Sequence, residues 1–287
     1  MKIIRWTRQV FVVKGSLLFL IIFPLAIKID AQTINIPEQE NRISIMFERM
    51  KQTKDDSQKL IINNEIKAEL SDLLAGDSSF SYLFDSLKYV GKIYSPNRLL
   101  RLFTWNVPMN DGTHRYFGFV QYFKPEGNKM NLLFLNESET TDLDEDHIYT
   151  QDDWYGCLYY HIIESKCGNQ LFYTLLGFDF NNNFTTRKVI DVISFNNEGM
   201  RFGQPLFQLD GDLKKRVIYE YSSRVTMMIR YDTELQMIVF DHLSPSEPQY
   251  KDHYQFYGPD SSYDGFEFRD CSWKIVRDLD MKNKIKF

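Results

Sequence analysis

The stretch Gln170-Leu171-Phe172-Tyr173-Thr174-Leu175-Leu176-Gly177-Phe178 decides the fold. On a strand, Leu171, Tyr173 and Leu175 point one way, and Phe172, Leu176 and Phe178 the other. Apolar residues on both faces require cover on both sides, which predicts the centre of a sheet. Working outward, Trp154 to Ile163 reads as a second apolar run, joined to the first by the polar, Gly-containing turn Glu164 to Asn169. That is a hairpin signal. A second hairpin follows, from Lys188 to Phe195, through the turn Asn196-Asn197-Glu198-Gly199, and from Met200 to Phe207.

Strand-like runs continue on either side. Upstream, Leu99–Val107, Tyr116–Phe123 and Met130–Leu135 read as a meander turned at Asp111-Gly112 and at Pro125–Asn128. Downstream come Arg216–Tyr221, Val225–Tyr231, Leu235–His242, Phe266–Phe268 and Ser272–Val276, with a long polar stretch from Ser244 to Gly265. Before them lie three apolar stripes at helical spacing: Ile43, Met46, Phe47 and Met50; Ile62, Ile66, Leu70, Leu73 and Leu74; and Phe80, Leu83, Phe84 and Leu87. Helices first and about ten strands after, with no βαβ alternation, predict an α+β fold. The expected architecture is N-terminal helices followed by a large antiparallel β meander, barrel-like or propeller-like. Its divisions are a signal peptide over 1–31, a helical segment over 32–97 and the β domain over 98–287.

The export reading rests on the first 31 residues. Lys2, Arg5, Arg8 and Lys14 form a basic start, Leu17–Ile27 an apolar run of 11 residues, and Ala31-Gln32 a cleavage point. The run is too short for a stable membrane span, so a periplasmic or secreted protein is expected, with no stable membrane span after cleavage. Cleavage removes five of 34 basic residues and one of 39 acidic ones, leaving 29 against 38, a net charge of −9. An acidic chain without a basic stripe argues against nucleic acid as a partner. Cys157, Cys167 and Cys271 are an odd set. The favoured reading is three buried free thiols, with no bridge between Cys157 and Cys167.

The run Tyr173–Phe178, Thr186-Arg187-Lys188-Val189-Ile190-Asp191-Val192, Phe202-Gly203-Gln204-Pro205, Ile238–Leu243, Gly258–Gly265 and Trp273 are similar to a family of uncharacterised exported proteins of Bacteroidota. The likeness covers roughly residues 95–280. It implies export and a shared fold, and carries no activity.

Few residues offer chemistry. Asp260-x-Ser262-x-Asp264-Gly265 matches the opening of an EF-type calcium loop, but the twelfth position is Cys271 where a bidentate Glu belongs. Asp260 and Asp264 are therefore the metal candidates and calcium the possible cofactor, against the plainer reading of an Asx-type turn. Residues 137–153 hold eight carboxylates and no Lys or Arg, most simply a solvated loop. Asp241-His242 with Asp252 and His253 is the best acid–base group, yet neighbours on a strand point to opposite faces, so Asp241 cannot readily orient His242. His161 reads as a core histidine. Trp105, Trp154 and Trp273 are candidates for stacking on a sugar or peptide, with core anchoring the plainer alternative. The expectation is an exported, non-catalytic envelope protein binding a ligand or partner through its β domain. The alternative is a secreted hydrolase with a dispersed site near His242 and His253.

Overall fold

The computed structural model describes residues 35–123, 129–138, 145–196 and 199–280. The expected signal peptide, the turn at Pro125–Asn128, Asn197-Glu198 of the second hairpin turn, and Glu139, Asp142 and Asp144 of the acidic stretch lie outside them.

Two helices open the described chain, α1 (Ile36–Gln52) and α2 (Asp56–Leu74). Asp55 caps α2 by accepting the Gln58 N–H at 2.8 Å. The stripes Ile43, Phe47, Met50 and Ile62, Ile66, Leu70 are buried as their spacing requires. The third stripe makes no α-helix: a 3-10 turn, Asp77–Phe80, leads into irregular backbone with Phe84 at φ 58°. Phe84 and Leu87 are nonetheless fully buried. The carbonyls here are taken by side chains instead of by a helix. Buried Arg101 donates to Ser79 O and Phe80 O, each at 3.0 Å, and Lys92 Nζ to Phe84 O and Leu87 O, each at 2.7 Å. Glu40 accepts the Ser86 N–H at 2.6 Å.

Fifteen strands follow, β1 (Gly91–Tyr94), β2 (Leu100–Pro108), β3 (His114–Phe123), β4 (Met130–Asn136), β5 (Leu158–Cys167), β6 (Gln170–Asp179), β7 (Thr185–Asn196), β8 (Gly199–Phe202), β9 (Phe207–Leu209), β10 (Asp212–Lys214), β11 (Val217–Ser222), β12 (Ile229–Asp232), β13 (Met237–Pro245), β14 (Tyr257–Arg269) and β15 (Ser272–Val276). They form three sheets. The first runs β1-β2-β3-β4; the middle runs β11-β7-β6-β5, with β8 on β7; the third runs β10-β9-β15-β14-β13-β12. Pairing is antiparallel throughout these sheets except between β15 and β9. Each of the three orders has two ends, so the expected barrel-like or propeller-like closure is corrected to open, stacked sheets among the described residues.

The stacking follows from the strand pattern. Helices and one face of the first sheet share a core around Phe47, Leu70, Phe103 and Trp105. The other face, with Leu102 and Val120, packs on Tyr173, Leu175 and Val189 of the middle sheet. Phe172, Leu176 and Ile190, on the middle sheet's far face, meet Phe240, Phe266 and Trp273 of the third. Strand β6 is thus covered on both faces, as its sequence requires. At Gly177 an added Cβ would lie 2.8 Å from Cys157 Sγ, so the strand admits no side chain there.

Two segments differ from the sequence reading in the third sheet. Ser244–Gly265 is not one polar loop: β14 begins at Tyr257 and pairs with β13 despite Gly258 and Pro259. Conversely Val225–Met228 is not strand, and β12 starts only at Ile229. The thiol expectation also changes. Cys157 and Cys167 are indeed unbridged, but Cys167 forms a disulfide with Cys271, with Cα atoms 5.1 Å apart, and only Cys157 is a buried free thiol. The two cysteines sit at the ends of hairpins β5–β6 and β14–β15, one in the middle sheet and one in the third.

Candidate functional site

The register of β13 on β14 slips between Asp241 and Leu243, leaving His242 at the bulge. Bulges re-aim side chains. Here the slip brings His242 Nδ1 to 2.8 Å from Asp264 Oδ2. The orienting carboxylate therefore comes from the neighbouring strand. Asp241 instead accepts the Met228 N–H at 2.7 Å, and burial pushes its carboxyl up. Asp264 is itself almost fully enclosed. It also accepts Arg277 Nη1 at 2.7 Å and the Asp278 N–H at 3.1 Å. Burial alone would raise its pKa, but the hydrogen bonds from His242 and Arg277, with that of Asp278, hold it below the ordinary carboxylate value.

Asp260 lies on the exposed part of β14, where its Oδ1 accepts Ser262 Oγ at 2.7 Å and Ser262 N at 3.0 Å. Burial works against its charge, and the Ser262 bonds and the proximity of His242 lower its pKa overall. The serine hydroxyl is thus directed at Asp260 and not at His242. Of the two predicted metal carboxylates, Asp264 is bonded to His242 and Asp260 is only near enough to feel its charge, and each has protein donors of its own. Asp264→Ala is expected to cost about 1–3 kcal/mol, since half-exposed Arg277 and His242 can turn to water. The loss should be equal in calcium and in chelator. A calcium-induced rise in Tm that the variant abolishes would assign the metal role instead. The folded pKa of Asp264 lies below its unfolded value. Its contribution is then complete above the unfolded pKa and fades as acid takes the pH down through the folded one.

The other sequence candidates scatter. His253 lines an open hollow of about 310 Å³ together with Glu220, Thr185, Asp252 and Tyr254, apart from the Asp264 pair. His161, expected in the core, is exposed and stacks on Tyr231 at 6.1 Å, because the register of β5 on β6 also slips beside it. Trp105, Trp154 and Trp273 are at most 1% exposed, so none offers a stacking face. Each indole N–H has a buried acceptor: Asn63 Oδ1 at 2.7 Å, Tyr159 OH at 3.2 Å and Thr174 Oγ1 at 3.0 Å. In the acidic stretch Glu137 meets Arg115 at 2.7 Å, and Glu145 accepts the Ile218 N–H at 2.9 Å beside Lys214.

Two constellations escape a reading of the sequence. One is buried between the first and middle sheets. Asp191 and Arg216, both with fully buried side chains, pair through Nε–Oδ2 at 2.8 Å and Nη2–Oδ1 at 3.1 Å. The guanidinium also lies 4.5 Å from the Tyr149 ring. Burial works against its charge, yet the Asp191 carboxylate raises its pKa overall. Being sealed, the pair is structural.

The second is a hollow of about 400 Å³ where the third sheet stops covering the middle one. Its floor is the end of the middle sheet: Phe178 on β6, Thr186 and Lys188 on β7, Tyr221 on β11, in register with one another. Val225 and Thr226, the segment that fails to join β12, form one wall. His114 and Phe180, stacked at 4.5 Å and 12°, form the other. Lys188 Nζ sits 4.8 Å from the Tyr160 ring centre and 4.9 Å from that of Phe178. Among the described residues it has no carboxylate partner, and burial lowers its pKa. The Thr186 hydroxyl is buried with no hydrogen-bond partner among the described residues.

Comparison with protein-family models, curated proteins and solved structures finds no match for this chain.

Proposed function

We propose that the chain is an exported envelope protein, periplasmic or secreted, that binds a ligand or partner through its β layers without catalysing a reaction. The observation that carries this reading is Lys188. Its half-buried ammonium faces a hollow of ligand size and, among the described residues, meets aromatic rings and no carboxylate, whereas Asp264 beside His242 is already engaged by Arg277. The Cys167–Cys271 disulfide supports the export half, since such bonds persist in oxidising compartments. Kinship with exported proteins of Bacteroidota belongs to the same proposal. Among the described residues no helix is long and apolar enough to cross a membrane.

A second reading, hydrolysis, is favoured by one observation: a buried carboxylate orients His242 while the ring stays 39% exposed. Screening the exported protein separates the two. A ligand library read by thermal shift should give binders, and esterase, glycosidase and peptidase substrates should show no turnover. Turnover that His242→Ala abolishes would sink the binding reading.

A further inference from the structure

We infer that the hollow over Lys188 binds an acidic sugar, a ring bearing a single carboxylate. The inference rests on the binding reading above and deepens it. Three features of the hollow converge on this chemistry. The first is charge. A lysine ammonium without a counter-ion is a point charge of one unit, and a carboxylate is its match. Phosphate and sulfate are more often gripped by a guanidinium fork or a nest of backbone N–H groups, and among the described residues no arginine lines this hollow. The second is the aromatic wall. Phe180 and His114 form a flat stack, with Phe178 set edge-on to Phe180 at 4.8 Å. Such rings offer an apolar surface to the C–H face of a sugar. The third is the remaining lining: the Thr226 hydroxyl, the Ser223 hydroxyl, which donates to Asn183 O at 2.9 Å, and the amides of Asn182 and Asn183, whose Nδ2 groups donate to Thr185 Oγ1 and Asp111 O, each at 3.4 Å. Four short neutral polar groups around one cation suit a polyol with one charge better than a purely aromatic acid, which has no hydroxyls to offer them.

Position agrees with chemistry. Lys188 lies on the face of β7 that carries Ile190 and Val192 into the core against the third sheet. Two residues further along, that core would have closed over it. Val225 and Thr226 flank the hollow without joining β12, whereas Met227, next along, is buried in that core and the Met228 N–H bonds to Asp241. The hollow is thus built by three chain segments distant in sequence.

The test uses the full exported protein with its disulfide intact. Calorimetric titration with galacturonate and trigalacturonate is compared with galactose, benzoate and sulfate. The uronates are expected to bind, with galactose at least ~10-fold weaker for want of the charge-assisted hydrogen bond. Lys188→Met keeps the stem against Tyr160 and Phe178 and should weaken uronate binding about 10–100-fold. The melting temperature of free Lys188→Met is the folding control: it should match that of the free wild type, because the methionine keeps the apolar stem against the two rings. Equal binding of acidic and neutral sugars, preference for benzoate or sulfate, no binding of either uronate, or a Lys188→Met variant that binds as well as the wild type would each overturn the inference. A different ligand class captured in the library screen and lost in Lys188→Met would leave the binding reading standing while removing the acidic sugar. Turnover dependent on His242 would remove both.

Discussion

Asp191→Ala is expected to destabilise the protein by about 3–5 kcal/mol, because it leaves the Arg216 guanidinium enclosed without its carboxylate. His147 O lies 3.3 Å from Nη1, and the Tyr149 and Tyr155 ring centres lie 4.5 and 5.6 Å from the guanidinium carbon. Tyr159 and Trp154 are disturbed too, since the indole donates to the Tyr159 hydroxyl, which in turn lies 3.4 Å from Asp191 Oδ2. The loss should appear as a lower urea midpoint with little change in slope. The pair itself need not be worth that much, since desolvating two charges offsets most of their attraction. Asp191→Leu with Arg216→Met should therefore cost clearly less than the sum of the single variants. A single Asp191→Ala cost below about 1 kcal/mol would mean that water reaches the guanidinium and that the pair is not sealed.

This pair also marks what a reading of the sequence can and cannot reach. Val189-Ile190-Asp191-Val192-Ile193 is an apolar strand interrupted by one carboxylate, and that interruption is the legible signal of a buried partner. The partner, Arg216, lies 25 residues away, just ahead of β11, so nothing local identifies it. The middle layer was legible for a different reason. Residues on both faces of β6 are apolar, and the period of a strand converts that directly into burial on both sides. The two helical stripes that pack on the first sheet were legible in the same way. The third failed because helical spacing says which residues are buried, not which donors satisfy their backbone. Arg101 and Lys92, from beyond the segment, supply those donors. The end of β14, Phe266–Phe268, is legible as a strand; its first part is hidden by Gly258, Pro259 and two Asp residues, a composition that spells a turn, and pairing with β13 overrides it. His242 was recognised as a candidate but assigned no partner. The alternation argument that separated it from Asp241 was sound, and the cross-strand neighbour Asp264 depended on a bulge that leaves no sequence mark. The hollow over Lys188 is least legible of all, since it exists only where one sheet stops short of another.

Loss of the Cys167–Cys271 disulfide is expected to lower stability by about 3–5 kcal/mol, on the order of 10 °C in Tm for a chain of this size. The bond closes a loop across a sequence separation of 104 residues, long enough that the cross-link removes much of the freedom of the unfolded chain. It also has a local consequence. Cys167 faces Gln170 across the β5–β6 turn, while Phe178, at the other end of β6, lies on the floor of the hollow. The bond therefore pins the middle and third sheets together at one end of their shared core, and the hollow opens at the other. Cys167→Ser with Cys271→Ser should lower the Tm and leave the same protein insensitive to reductant, whereas the wild type falls to the same Tm once reduced. Thiol counting completes the test. Cys157 is sealed under Tyr159 and Gly177, and burial pushes its thiol well above the usual value, so the native protein should expose no reactive thiol. Under non-reducing denaturation one thiol per chain should react, and after reduction three. Three reactive thiols before reduction, or a peptide joining Cys157 to either partner, would show that the two sheets are not held by this bond.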